Sequence, residues 1–188
     1  MKQIIMYLMA LTTIVIIGSG CKKQSNTNTD DTNVPGLPPA TQVGANTFGC
    51  LVNGVPWVPQ GNDGTPNLSI DYDPNFNNGT FEIYAKNFLS THDATSLRIS
   101  IIDSLNFVIA PRTILVTKNS LSVLQYGKLN QYIITSRNSD STINSAGYVT
   151  VLLHNKQKKI IAGTFEGYLS KTGIDTIIIT KGRFDFKF

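Results

Sequence analysis

Gly79-Thr-Phe-Glu-Ile-Tyr-Ala-Lys86 alternates apolar and polar residues with a period of two, and no other stretch constrains the fold as tightly. In an extended chain successive side chains point to opposite faces. Phe81, Ile83 and Ala85 therefore share one face, and Thr80, Glu82, Tyr84 and Lys86 share the other. A strand of this kind cannot stand alone. It needs hydrogen-bonded neighbours on its edges and a second apolar layer against its Phe81 face.

The rest of the chain supplies such partners. Phe48 to Val52 and Val55 to Val58 flank Asn53-Gly54, a dipeptide that accepts the positive φ of a tight hairpin turn. Pro56 cannot donate to a ladder, which places that second arm at a sheet edge. Further short strands are predicted over Leu68–Tyr72, Leu97–Ile101, Phe107–Ala110, Thr113–Thr117 and Gln131–Thr135. Leu121 to Leu129 reads equally as strand or helical turn, and Asn138 to Gly147 as a polar loop. Tyr148–His154 turns into Lys158–Leu169, and Asp175–Thr180 precedes Gly182-Arg-Phe-Asp-Phe-Lys-Phe188. In that last run Phe184, Phe186 and Phe188 form one face, opposite Arg183, Asp185 and Lys187, and Gly182 marks a bulge. Gly163-Thr-Phe-Glu-Gly-Tyr168 repeats the pattern of Gly79-Thr-Phe-Glu-Ile-Tyr84, with an inward Phe and an outward Glu and Tyr.

Roughly ten short strands without a long amphipathic helix predict an all-β fold, an antiparallel β-sandwich, with a calycin-like β-barrel as the alternative. The expected sandwich domain spans residues 46–188. Residues 1–20 precede it as a leader: Lys2, an apolar run from Ile4 to Ile17, then Gly18-Ser19-Gly20 before Cys21. Fourteen apolar-run residues are short for a membrane span, which takes about 18 or more, and small residues at a cut point suit a signal peptide. Residues 21–45 hold a candidate lipidated Cys21 and a polar, then Pro- and Gly-bearing, stretch expected to be a disordered tether.

Formal net charge is +4, and charged residues make up only 15% of the chain, scattered in sign. Lys156, Lys158 and Lys159 form the one small basic cluster, too little for a nucleic-acid footprint. With Cys21 acylated, Cys50 lacks an intrachain partner and is expected as a small buried hydrophobe.

Chemistry-bearing motifs are sparse. Asp71, Asp73, Asn75, Asn77 and Glu82 echo the ligand spacing of a twelve-residue Ca²⁺ loop. Phe76 stands where that loop needs its turn glycine, and strands flank it rather than helices, so a polar hairpin loop is the competing reading. His92 lies beside Asp93 in an expected loop, and His154 is expected at the surface near a hairpin end. No Gly-x-Ser-x-Gly elbow, His-Glu-x-x-His pair, Cys-x-x-Cys or phosphate-binding glycine loop is present, so catalysis is not expected. Trp57, Tyr72, Phe76, Tyr84 and Tyr168 could offer rings to a glycan, with ordinary cross-strand packing as the competing role.

Cys21 after its leader, the Asn53-Gly-Val-Pro-Trp57 hairpin, and Ile161-Ala-Gly-Thr-Phe165 with Gly182-Arg-Phe-Asp-Phe186 together resemble a family of Bacteroidota lipoproteins of unknown function. The resemblance implies a β-rich, secreted, lipid-anchored domain and brings no catalytic residues with it. The expected protein is thus a lipoprotein of the cell envelope, at the outer membrane, its Cys21 carrying palmitate-type acyl chains. It would act as a non-catalytic binding or structural module for an envelope protein or a glycan. A small-ligand carrier or a hydrolase with a loop-built site is the alternative.

Overall fold

The computed structural model describes residues 33–89, 94–102, 105–107, 109–129, 131–137 and 142–188. The leader, Cys21, His92 and residues 138–141 of the 138–147 stretch lie outside these. Twelve strands follow in chain order: β1 Thr47–Val52, β2 Val55–Trp57, β3 Gln60–Gly61, β4 Leu68–Asp73, β5 Thr80–Phe88, β6 Thr95–Ile102, β7 Arg112–Thr117, β8 Val123–Lys128, β9 Tyr132–Thr135, β10 Ile143–Asn155, β11 Ile160–Lys171 and β12 Ile174–Lys187. They form two six-stranded sheets. The first runs β2-β1-β12-β11-β10-β7; the second runs β3-β5-β6-β8-β9, with β4 also paired to β5. All pairs are antiparallel except the short β3–β5 contact. The sheets are open, so the fold is the sandwich and not the barrel.

Alternation decides the core. In β5 every second residue from Phe81 to Asn87 is buried. Phe81, Ile83, Leu97, Ile99 and Leu124 of the second sheet meet Phe48, Val149, Phe165, Ile179, Phe184 and Phe186 of the first in one apolar cluster. Burying a side chain of this size stabilises by about 1.5–3 kcal/mol. The Asn53-Gly54 turn forms as its residues require, with φ of 49° and 81° and Val52 opposite Val55. β2 lies at a sheet edge, where Pro56 needs no partner.

Some expectations are corrected. Leu105–Phe107 is a 3₁₀ turn, and β7 starts only at Arg112, so no strand spans 107–110. The ambiguous 121–129 stretch contains β8. β10 begins at Ile143, five residues before the apolar pattern becomes clear, because its Asn144–Gly147 segment pairs with β11 on a hydrogen-bonded ladder indifferent to side-chain polarity. β12 is a single strand through Thr180–Gly182, where it carries one extra residue against both neighbours and Lys181 takes φ 54°. That bulge resets the alternation.

The folded part also starts earlier than composition suggests. Residues 33–45 belong to the described structure, and Asp31–Phe188 form one compact unit. This segment crosses the outer face of the first sheet as a strap. Asp185, on that face, accepts hydrogen bonds from Thr41 Oγ1 (2.6 Å) and from the backbone N–H groups of Val43 (2.9 Å), Gly44 (2.7 Å) and Ala45 (3.2 Å). Asp185 and Arg183 are thereby almost fully covered, although both point away from the core. Gly49 makes room: a Cβ there would lie 2.9 Å from Pro38 Cδ. Four donors on one carboxylate offset the conformational entropy that would otherwise keep a Pro- and Gly-bearing segment free.

Candidate functional site

A groove of about 570 Å³ lies across the outer face of the second sheet, at the end where β5 finishes and β6 begins. Its floor follows one cross-strand row: Lys86 opposite Ser96, Ser96 opposite Gly127, Gly127 opposite Ile133. Small residues at the two central positions leave a trough. A Cβ on Gly127 would approach Ser96 Oγ to 2.9 Å and begin to fill it. Tyr84 and Phe88 rise on one side; Leu129, Tyr132 and Ile133 rise on the other. Tyr84, Leu129 and Ile133 are exposed, so the walls present apolar surface to solvent.

One end of the trough is polar and built. Lys86 Nζ donates to Asp63 Oδ1 (2.8 Å) and Oδ2 (2.7 Å), and also to Thr65 Oγ1. Thr65 further donates its N–H and hydroxyl to Asp63 Oδ1. The Lys86 and Thr65 donors hold the Asp63 carboxyl far below the usual carboxylate range. Among the described residues Asp63 Oδ2 takes only the lysine, which leaves an acceptor site for a ligand hydroxyl. Ser96 Oγ and the Gln131 side-chain amide make no hydrogen bond among the described residues and border the same space. The groove therefore offers an aromatic and aliphatic surface with a few fixed polar groups at its margin. That combination suits a ring with one apolar face and hydroxyls around its rim.

The aromatic residues singled out in the sequence take different places. Tyr84 enters the groove. Trp57 does not: it is buried, edge-on to Phe48 at 6.1 Å, and its Nε1 donates to Thr95 Oγ1 at 2.8 Å across the two sheets. It is a core anchor, at the end of a hairpin arm paired beside β1, opposite Cys50. Tyr168 is exposed on the outer face of the first sheet, donating to Asn144 Oδ1 at 3.4 Å. Phe76 is exposed on the β4–β5 loop. Tyr72 packs against Phe81 and Phe188 and donates to Asn106 Oδ1 at 2.6 Å.

The five calcium candidates are not gathered into a ligand shell. Asp73 Oδ1 accepts from the backbone N–H groups of Asn75 and Phe76, forming the turn itself. Asn77 takes φ 48° within the turn. Asp71 sits opposite Glu82 on the ladder, and Glu82 is turned to Arg98, which donates through Nε (2.6 Å) and Nη2 (2.8 Å). No group of three acidic, His or Cys side chains among the described residues could hold a metal ion. The loop is a structural hairpin turn.

His154 is not a surface residue. It packs beside Tyr72 and Phe188 with ring centroids 5.8 Å away in each case, its Nδ1 is 3.1 Å from the Leu105 carbonyl, and its Nε2 is buried without a partner. Burial pushes its pKa down, against the Leu105 hydrogen bond, so it is neutral at pH 7. Cys50 is fully buried, and burial drives its thiol far up, which makes it unreactive.

Comparison of the chain with protein-family models, curated proteins and solved structures finds no match. Sequence reasoning had named Tyr84 but neither Ser96 nor Gly127. Their small size matters only because β6 and β8 align them, and sequence carries no signal of that register.

Proposed function

We propose that this protein is a non-catalytic glycan-binding module of the cell envelope, with the Tyr84 groove as its saccharide site. The observation that carries this reading is the pairing of an exposed Tyr84 wall with the fixed Lys86–Asp63 pair across a floor of Ser96 and Gly127. A pyranose laid on such a surface buries its C–H face against the aromatic ring and donates a rim hydroxyl to Asp63. Isothermal titration with β-linked and α-linked neutral gluco-oligosaccharides tests it. Millimolar or tighter binding that is lost in Tyr84→Ala is the expected result; no heat at millimolar sugar, or binding indifferent to Tyr84→Ala, overturns it.

The same proposal places the domain at a membrane through an acylated Cys21. It is supported by the basic start, the short apolar run and the small residues before Cys21. One acyl chain binds membranes only marginally, and stable anchoring takes more than one. Radiolabelled palmitate should enter the wild-type chain and not Cys21→Ser; label in both would refute the anchor.

A further inference from the structure

Where β4, β12 and the β10–β11 turn meet, a second concavity of about 890 Å³ combines aromatic rings with lysines. Tyr72 and Phe188 form its floor, their centroids 4.6 Å apart and their planes tilted by 55°. Lys156, Lys159 and Lys187 stand at its rim with one carboxylate side chain, Asp71. Lys156 Nζ donates to the Asn106 carbonyl at 2.7 Å, while Lys159 and Lys187 make no ion pair among the described residues. Three cations thus share a small volume with one anionic side chain, which sets a positive potential there.

The backbone at this rim is held in place. Lys159 occupies the β10–β11 turn at φ 55°, a left-handed conformation that costs a residue with a long side chain free energy and favours Gly or Asn. At four of the six described non-glycine positions of this kind the chain uses Asn: Asn46, Asn53, Asn77 and Asn78. A lysine at this turn forgoes that local advantage. The Lys159 carbonyl also accepts the Phe188 N–H at 2.8 Å, tying the turn to the strand end that supplies Lys187 and the ring floor. Backbone strain that the surroundings maintain is a marker of function when it positions a chemically competent group.

We infer that this concavity binds an acidic saccharide, its carboxylate, sulfate or phosphate held by Lys159 at the rim and its ring laid on Tyr72 and Phe188. A bare inorganic anion would use the lysines and leave the rings unused. An acyl chain would use the rings and leave Asp71 and the lysines unpaired. A ring that carries an anion uses both. The site is separate from the Tyr84 groove: Tyr72 stands opposite Phe81 at the start of β5, whereas the groove uses the end of that strand.

Calorimetric titration of the protein with a galacturonate trimer, and with a galactose trimer as the neutral match, tests the inference. The acidic trimer should bind at low salt, weaken as salt rises, and exceed the neutral trimer severalfold in affinity. Lys159→Gly, which suits the turn conformation, should keep or raise the thermal midpoint while lowering affinity severalfold. Tyr84→Ala should leave that affinity unchanged. Equal binding of both trimers, no binding of the acidic one, or insensitivity to Lys159→Gly overturns the site. So does loss of acidic binding in Tyr84→Ala, or binding to phosphatidylglycerol vesicles without binding to the soluble trimer.

Discussion

Gly79-Thr-Phe-Glu-Ile-Tyr84 and Gly163-Thr-Phe-Glu-Gly-Tyr168 place matching side chains on the two opposite outer faces of the sandwich. Phe81 and Phe165 are both fully buried, and Tyr84 and Tyr168 are exposed to nearly the same extent, 37% and 38%. The difference lies in what stands beside each tyrosine. Next to Tyr84 the row of Lys86, Ser96, Gly127 and Ile133 dips at its centre and ends on the Asp63 pair. Next to Tyr168 the outer face carries Tyr148, Leu115 and Ile178, with Tyr148 Oη donating to Glu166 at 2.8 Å, and farther along it lies the strap over Asp185. Both tyrosines border a concavity, about 570 Å³ at Tyr84 and about 650 Å³ at Tyr168; the shared hexapeptide sets which way a tyrosine points, and strands far away in sequence decide what lines the space beside it.

The strongest way to break this contrast is to release the strap. Asp185→Ala leaves four donors without their acceptor, so a loss of about 2 kcal/mol in unfolding free energy is expected, read by denaturant titration. A matching pH effect follows. Burial pushes the Asp185 carboxyl up, but the Thr41, Val43, Gly44 and Ala45 donors outweigh it and hold the pKa below its ordinary value of about 3.9. Its contribution is therefore complete above that value and is lost as pH falls through the lower, folded pKa. The stability gap between wild type and Asp185→Asn should be constant near neutrality and shrink on acidification below about pH 4. A gap that widens there would contradict the assignment.

Filling the trough is the next test. Gly127→Leu should abolish saccharide binding, by tenfold or more, if the depression between Tyr84 and Ile133 is the site. Tyr84→Ala should weaken it about tenfold, equivalent to about 1.4 kcal/mol. Tyr168→Ala should change it less than twofold, and an equal effect of the two tyrosines would erase the contrast. On stability, Glu82→Gln should have the smaller effect. The Glu82–Arg98 pair is half-exposed, so its loss should cost only about 0.5 kcal/mol in thermal or chemical unfolding.

Much of the fold was legible because strands with one buried face must alternate. The β5 pattern, the Asn53-Gly54 turn and the phenylalanines of β12 each stated their own geometry. What escaped depended on partners distant in the chain. The 34–45 segment reads as spacer by composition, yet it is docked by a carboxylate some 140 residues later. His154 alternates like a surface residue, but β4 and the chain's last phenylalanine close over it. Trp57 reads from sequence as a core anchor before a ligand platform, and Thr95, taking its indole N–H, shows how it is anchored. The groove was legible at Tyr84 alone, since the vacancy beside it is made by the alignment of two unremarkable small residues.

The strap gives the sandwich a mechanical character. Tension applied to the chain ahead of Val34 reaches the domain at Pro38, whose carbonyl accepts from Arg183 Nη1, and then at the Asp185 hydrogen bonds, all on a strand that lies inside its sheet between β1 and β11. β12 is held along 14 residues, so it distributes a pull over a long ladder instead of opening at one edge. The strap can detach before any sheet strand is lost. A domain suspended from its N-terminal side would thus have an extensible first link in series with a stiff body.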